Sequence, residues 1–154
     1  MDRRYRERVD TTDRAAPTLY EVAGGFTFFE RLVDGFYARV ATDDVLLALY
    51  PEAPDLTGAR HRLTLFLVQY WGGPTRYDDE RGHPKLRLRH LPFHIGGRER
   101  DHWLTHMIAS VDDAVADLPA GTAAVVRDAL VGYFVPAAEQ LRNDTGLPIS
   151  TRRA

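Results

Sequence analysis

The sequence predicts an all-α fold, and three observations predict it. Apolar residues recur at three- and four-residue steps in several separate windows. No window holds a sustained two-residue alternation: Thr64–Val68 is β-permissive, but the longer window around it keeps the helical period. Glycine and proline pairs close most of the periodic windows, as helix stops do.

Taken in order, Thr18–Ala23 reads as a short helix closed by Gly24 and Gly25. Phe29, Val33, Phe36, Tyr37 and Val40 then form one apolar stripe. Asp43–Leu49 is a helical turn ended by Tyr50 and Pro51. Thr57 is placed to cap the next helix, with Leu63, Phe66, Leu67, Tyr70 and Trp71 as its stripe, and Gly72, Gly73 and Pro74 stop it. A helix from about Arg98 carries Trp103, Met107, Val111, Ala114 or Val115, and Leu118 on one face, and breaks at Pro119 to Gly121. The last helix runs from Thr122 to about Asn143 with Val126, Leu130, Tyr133, Phe134, Ala137 and Leu141 inward. Six amphipathic segments of this kind bury a common core in helical bundles and globin-like folds.

The stretch 72–97 is the irregular part: three prolines, Gly82, the Gly96–Gly97 pair and a basic run from Lys85 to His90. A structureless connection of about 25 residues is long for a compact domain, which marks it as functional or held in place by something. The flanks differ again. Residues 1–17 are polar, of mixed charge and without an apolar core, and read as a disordered extension; residues 144–154 read as a short tail after a helix stop. The expected organisation is one domain over 18–143 between two tails.

Composition narrows the chemistry. The 154 residues carry 20 basic and 22 acidic side chains, a net charge of −2, where a nucleic-acid-binding domain is expected to be basic. Mean hydropathy is −0.34, and no run approaches the roughly 18 apolar residues of a membrane helix. Neither nucleic acid nor a membrane is therefore an expected partner, and the cytoplasm is the expected location. Cysteine is absent, which excludes zinc–thiolate sites, cysteine-ligated iron–sulfur clusters and thiol nucleophiles. Lys85 is the one lysine able to form a Schiff base.

The histidines and polar-tipped aromatics carry what chemistry remains. His90/His94 and His102/His106 are i,i+4 pairs, a spacing that two ligands of one metal can share. His102 and His106 lie about 100° off the Trp103–Met107 stripe, however, which favours a solvated face. No HExxH motif is present to complete a zinc hydrolase site. His90 sits in LRLRHLPFHI, collared by Leu86, Leu88, Leu91, Phe93 and Ile95 and flanked by Arg87 and Arg89. That setting fits two readings: an ordinary histidine in a basic loop, or an axial ligand to an apolar, doubly anionic group such as haem. Tyr37, Tyr50 and Trp103 are three polar-tipped aromatics directed at one core, and buried hydroxyls and indoles require partners.

With these residues placed, the chain resembles the group II truncated haemoglobins, the oxygen-binding type of actinobacteria and other bacteria. The resemblance spans about residues 18–143. It rests on Gly24–Gly25, FYARV at 36–40, LYPE at 49–52, FLVQYWGGP at 66–74, RGHP at 81–84, LRLRHLPFHI at 86–95 and ERDHWL at 99–104, in order. It implies a two-over-two helical sandwich around haem b. His90 would be the proximal iron ligand, and Tyr37, Tyr50 and Trp103 the distal set around the bound gas. Arg62, Arg87 and Arg89 would face the propionates, with Tyr70 and His83 as neighbours. Leu63, Phe66 and Leu67 would line the pocket, and Ala59 would stand where many globins carry a gating His or Gln. By that resemblance the iron is five-coordinate and releases O2, NO or CO slowly. Such retention suits redox, nitric oxide or peroxidase-like chemistry served by an external reductase better than oxygen delivery. A homodimer stays open. The reading from another class is a cofactor-free helical module that docks an acidic partner through residues 85–90.

Overall fold

In the computed structural model, which describes residues 16–144, every regular element is helical. Four long helices make the body: α2 (Phe26–Val40), α4 (Thr57–Tyr70), α7 (Gly97–Val115) and α8 (Ala120–Gln140). Four short ones position the connections: α1 (Leu19–Ala23), α3 (Asp44–Leu47), α5 (Arg76–Arg81) and α6 (Leu86–His90). Helix α2 packs on α4 and on α7, and α7 packs on α8, so two helix pairs lie one over the other. No helix among the described residues is long and apolar enough to cross a membrane. The expectations for the two tails fall almost entirely on residues 1–15 and 145–154, outside the described residues.

The fold starts from a sharp corner. Thr18 caps α1 by accepting the Glu21 N–H at 3.3 Å. Gly24 ends the helix at φ +116° and Gly25 follows at φ +81°, both in the left-handed region that side chains disfavour. The chain thus reverses into α2, whose Phe29, Leu32, Val33, Phe36 and Val40 are fully buried. This is the predicted stripe, broadened by Leu32. Burying it supplies most of α2's stability, at about 1.5–3 kcal/mol for each large apolar side chain. Arg39 ties α2 to α7 by donating to Ser110 Oγ at 3.0 Å and to Asp113 Oδ2 at 2.6 Å.

Helix α7 buries Met107, Val111, Ala114 and Val115, and α8 buries Val126, Leu130, Phe134 and Ala138. Tyr133, Ala137 and Leu141 are half-buried, so the predicted inward face of α8 is fully covered only at Val126, Leu130 and Phe134. Arg100 pairs with Glu139 and joins the start of α7 to the end of α8.

Three expectations need correction. Leu56, not Thr57, occupies the cap position of α4; Asp55 contributes instead, accepting the Thr57 N–H at 3.0 Å. The buried residues of α4 are Ala59, Thr64, Leu65, Leu67 and Val68, whereas Tyr70 is 52% exposed and Leu63, Phe66 and Trp71 are half-buried. Helix α4 is flanked by α2 on one side and α5 on another, which spreads its apolar residues around the helix. The stretch 72–97 is not structureless: α5 and α6 lie within it, and Asn143 fastens the turn after α6. The Asn143 side chain accepts the Ile95 N–H at 2.9 Å and donates to the Phe93 carbonyl, while its backbone N–H donates to the Ile95 carbonyl at 2.9 Å.

Candidate functional site

His90 is the last residue of α6, a single turn held at both ends. Before it, Lys85 adopts a left-handed φ of +45°, a strained conformation for a side-chain-bearing residue. Two contacts hold that conformation: His83 Nδ1 accepts the Lys85 N–H at 3.2 Å, and the Lys85 carbonyl accepts the Arg89 N–H at 3.0 Å. His90 Nδ1 lies 2.6 Å from the Leu86 carbonyl. A carbonyl only accepts, so Nδ1 carries the proton and Nε2 presents its lone pair. Burial lowers the His90 pKa, and the Leu86 contact opposes that only in part. The ring is therefore neutral at neutral pH, with its tautomer fixed. A neutral imidazole whose second nitrogen is tied to a backbone carbonyl is the state required of an axial iron ligand. The residues present fit haem in this respect.

Tyr37 and Tyr50 meet edge to face with ring centroids 5.6 Å apart. Burial and then the adjacent Tyr50 raise the Tyr37 pKa well above its usual value. Burial also raises that of Tyr50, against the lowering influence of Tyr37 and of the positive Arg62. Both are therefore protonated hydroxyls over the whole physiological range and available as donors. Trp103 joins this group through Phe36, whose ring lies 5.3 Å from the Trp103 ring and 5.0 Å from that of Tyr37. Phe134 supports the far side of Trp103 at 5.5 Å. The buried Phe36 thus joins Tyr37 to Trp103, and Tyr50 joins the group through Tyr37.

The remaining predicted residues fall in several places. Ala59 is buried, Leu63 and Phe66 are half-buried, and Leu67 is fully buried, all on α4. Phe66 packs edge-on against Tyr77 of α5 at 5.6 Å. The positive Arg62 lies near enough to Tyr37 and Tyr50 to exert a minor lowering effect on the pKa of each. Arg89 turns back on its own loop, donating to the Pro84 carbonyl at 2.7 Å and the Arg81 carbonyl at 3.0 Å. Arg87 lines a shallow groove with Leu91, Leu141 and Arg142 at the end of α8. Tyr70 packs on Tyr133 with the rings tilted by 36° and their centroids 4.3 Å apart, and burial, with Tyr70 beside it, pushes the Tyr133 pKa up to about 12.

One group escaped the sequence reading. The face carrying His102 and His106 is only partly solvated, their side chains 39% and 23% exposed, and both bind Asp43 Oδ2, from His102 Nδ1 at 2.8 Å and His106 Nε2 at 2.6 Å. The signals available were Asp43 at the start of a predicted helix and an i,i+4 histidine pair, with nothing to link them across about 60 residues. Asp43 Oδ1 accepts the Val45 N–H at 2.9 Å and the Leu46 N–H at 3.3 Å.

The fold agrees with that of known proteins. The model of the bacterial-like globin family matches residues 18–129. The group 2 truncated hemoglobin YjbI of Bacillus subtilis is 38% identical over 126 residues, 82% of this chain and 89% of that protein. Among solved structures, a thermostable hemoglobin from the actinobacterium Thermobifida fusca aligns at 50% identity and a TM-score of 0.77, covering 84% of this chain and 99% of that one. A truncated oxygen-avid haemoglobin from Bacillus subtilis aligns at 37% identity and a TM-score of 0.72, covering 82% and 100%. The stacked helix pairs are thus the two-over-two arrangement, and the chain belongs to the group II truncated haemoglobins of the bacterial-like globin family.

Proposed function

We propose that this chain binds haem b through His90 and retains a small gas ligand beneath Tyr37, Tyr50 and Trp103. The observation that carries the proposal is the state of His90: half-buried, neutral, with Nδ1 held by the Leu86 carbonyl at 2.6 Å. That contact orients the ring and raises the basicity of Nε2, the atom that would bind the metal. Haem supplies the iron that takes the gas ligand and cycles between two oxidation states. The chain supplies everything else. Leu63, Phe66 and Leu67 give apolar walls that exclude water. Ala59 offers no nitrogen, so its side of the site would be left open to an external ligand. Arg62, Arg87 and Arg89 are the cationic side chains proposed to face the propionates, with Tyr70 and His83 near them.

The two tyrosine hydroxyls and the Trp103 indole are preorganised donors, which favour a ligand that gains negative charge on binding. At about 1–1.5 kcal/mol for each net hydrogen bond, two or three donors slow release by tens- to a thousand-fold. Slow release is poor for delivery. It suits redox chemistry on a retained ligand, such as conversion of nitric oxide to nitrate or peroxidase-like turnover. The sequence holds no GxGxxG fingerprint after a strand and no cysteine, so the reducing electrons must come from outside. A flavin-containing reductase with an acidic face is the proposed partner, and the Lys85–Arg89 segment its docking region. We assign the globin domain to 18–143 and its location to the cytoplasm; a homodimer is compatible with this scheme. The cofactor-free docking module loses ground because the chain belongs to a haemoglobin family.

The test is stopped-flow mixing of the oxygenated protein with nitric oxide, followed by reduction of the ferric protein by a flavoreductase. Stoichiometric nitrate and repeated turnover support the proposal. Oxygen loss within milliseconds, together with a ferric form that no reductase reduces, would leave storage or sensing as the better account.

A further inference from the structure

We infer that Asp43 is a positioning residue for the distal donors: its carboxylate locks the segment carrying Tyr50 to the helix carrying Trp103. The inference rests on the proposal that Tyr50 and Trp103 serve a bound ligand, and adds a residue to that site which neither touches the ligand nor lies on its wall.

The two oxygens of Asp43 divide the work. Oδ1 caps α3 through the Val45 and Leu46 N–H groups at 2.9 and 3.3 Å. Oδ2 takes both histidines of α7, His102 Nδ1 at 2.8 Å and His106 Nε2 at 2.6 Å. A single oxygen holding two residues one turn apart fixes the rotation of α7 as well as its distance. One contact alone would leave the helix free to roll. The carboxylate is well shielded, with its side chain 10% exposed, so solvent competes weakly for either oxygen. Hydrogen bonds from His102, His106 and the Leu46 N–H overcome the opposing effect of burial and hold the Asp43 pKa down at about 2.

Both ends of the clamp transmit to the distal donors. On one side, Leu47 N–H donates to the Asp43 carbonyl at 2.8 Å and Tyr50 N–H to the Leu47 carbonyl at 3.1 Å. Backbone hydrogen bonds thus run from Asp43 to Tyr50. On the other side, Trp103 directly follows His102 in the sequence. A roll of α7 would swing the indole away from Phe36 and Tyr37. Neutral rings with protons on His102 Nδ1 and His106 Nε2 satisfy the carboxylate, so the clamp does not need either histidine charged.

Two variants separate clamp from cap. Asp43→Ser keeps a capping oxygen and loses the reach to both histidines. The double variant His102→Phe/His106→Phe leaves the cap untouched and removes the donors. His106→Gln retains an N–H donor and serves as the rescue, and Arg31→Ala, which breaks an exposed ion pair with Asp117, as the control. For each haem-loaded protein, three things are read: the oxygen dissociation rate, the C–O stretching band of the carbon monoxide complex, and the Trp103 indole N–H resonance, assigned by comparison with Trp71→Phe. We expect Asp43→Ser and the double variant to release oxygen at least threefold faster, to split or shift the C–O band, and to move the indole resonance. His106→Gln and Arg31→Ala should match wild type in all three. If Trp103→Phe changes release while the clamp variants leave all three readouts at wild-type values, the positioning role of Asp43 is overturned and the distal site stands. If Trp103→Phe itself changes nothing, the distal site falls, and this inference with it.

Discussion

Trp103→Phe is the substitution that isolates one of the proposed distal donors. The indole sits between Phe36 and Phe134, with ring centroids 5.3 and 5.5 Å away. A phenyl ring at 103 keeps edge contacts with both neighbours and removes only the N–H and one ring's worth of area. A net neutral hydrogen bond is worth about 1–1.5 kcal/mol, and that loss converts to about a five- to twelvefold faster release at 25 °C. Tyr37 and Tyr50 remain close to each other, so part of the loss is recovered if Tyr50 turns toward the ligand, and the lower figure is the safer one. The Tyr37→Phe/Trp103→Phe double variant should fall short of the product of the single effects, because donors to one ligand act as a set. The assay is displacement of oxygen by excess carbon monoxide in a stopped-flow instrument, with haem content and helicity checked to be unchanged. A double variant releasing oxygen within twofold of wild type would refute the reasoning, since no distal donor would then be acting on the ligand.

Other outcomes follow from the same structure. Phe36→Ala empties the centre of the α2–α7 contact, where the side chain is fully buried. It should cost about 3–5 kcal/mol in urea unfolding, whereas Arg31→Ala at an exposed ion pair should cost under about 1 kcal/mol. Asp43 carries a depressed pKa of about 2 against an ordinary 3.8. The unfolded chain therefore takes up this proton first as pH falls. The stability Asp43 contributes is complete above about pH 5 and is lost between there and pH 2. In an acid titration followed by circular dichroism, Asp43→Asn should flatten that part of the curve. Ala59→His brings an imidazole to the distal side of α4 and should give a low-spin six-coordinate ferrous spectrum, where wild type should be five-coordinate.

What the sequence made legible follows from how each helix is buried. Helix α2 presents one face to the core, so its three- and four-residue spacing identified Phe29, Val33, Phe36, Tyr37 and Val40 directly. Helix α4 packs against α2 and α5 together. Its apolar residues therefore spread around the helix, and the stripe through Leu63, Phe66 and Tyr70 missed Leu65 and Val68. Helices α5 and α6 have six and five residues, too few to show a period or to be stable alone. Helix α5 is held by packing on α4, and the turn after α6 by the Asn143 bonds to Phe93 and Ile95, which no local pattern records. The apolar and cationic neighbours of His90 were legible in the sequence, but the Leu86 contact that fixes its tautomer appears only once α6 is built. The Asp43 clamp was not legible, because it depends on how α3 meets α7 and not on the character of either segment.

The central claim is that His90 holds the iron, and the most direct measurement is the resonance Raman spectrum of the ferrous, unliganded protein. The account predicts an Fe–His stretching band in wild type. In His90→Gly the band should disappear and haem should be lost or weakly held, and added imidazole should restore both binding and a shifted band. A band at the wild-type frequency in His90→Gly without imidazole would contradict the account and move the ligand to another histidine, with His83 and His94 the next to test.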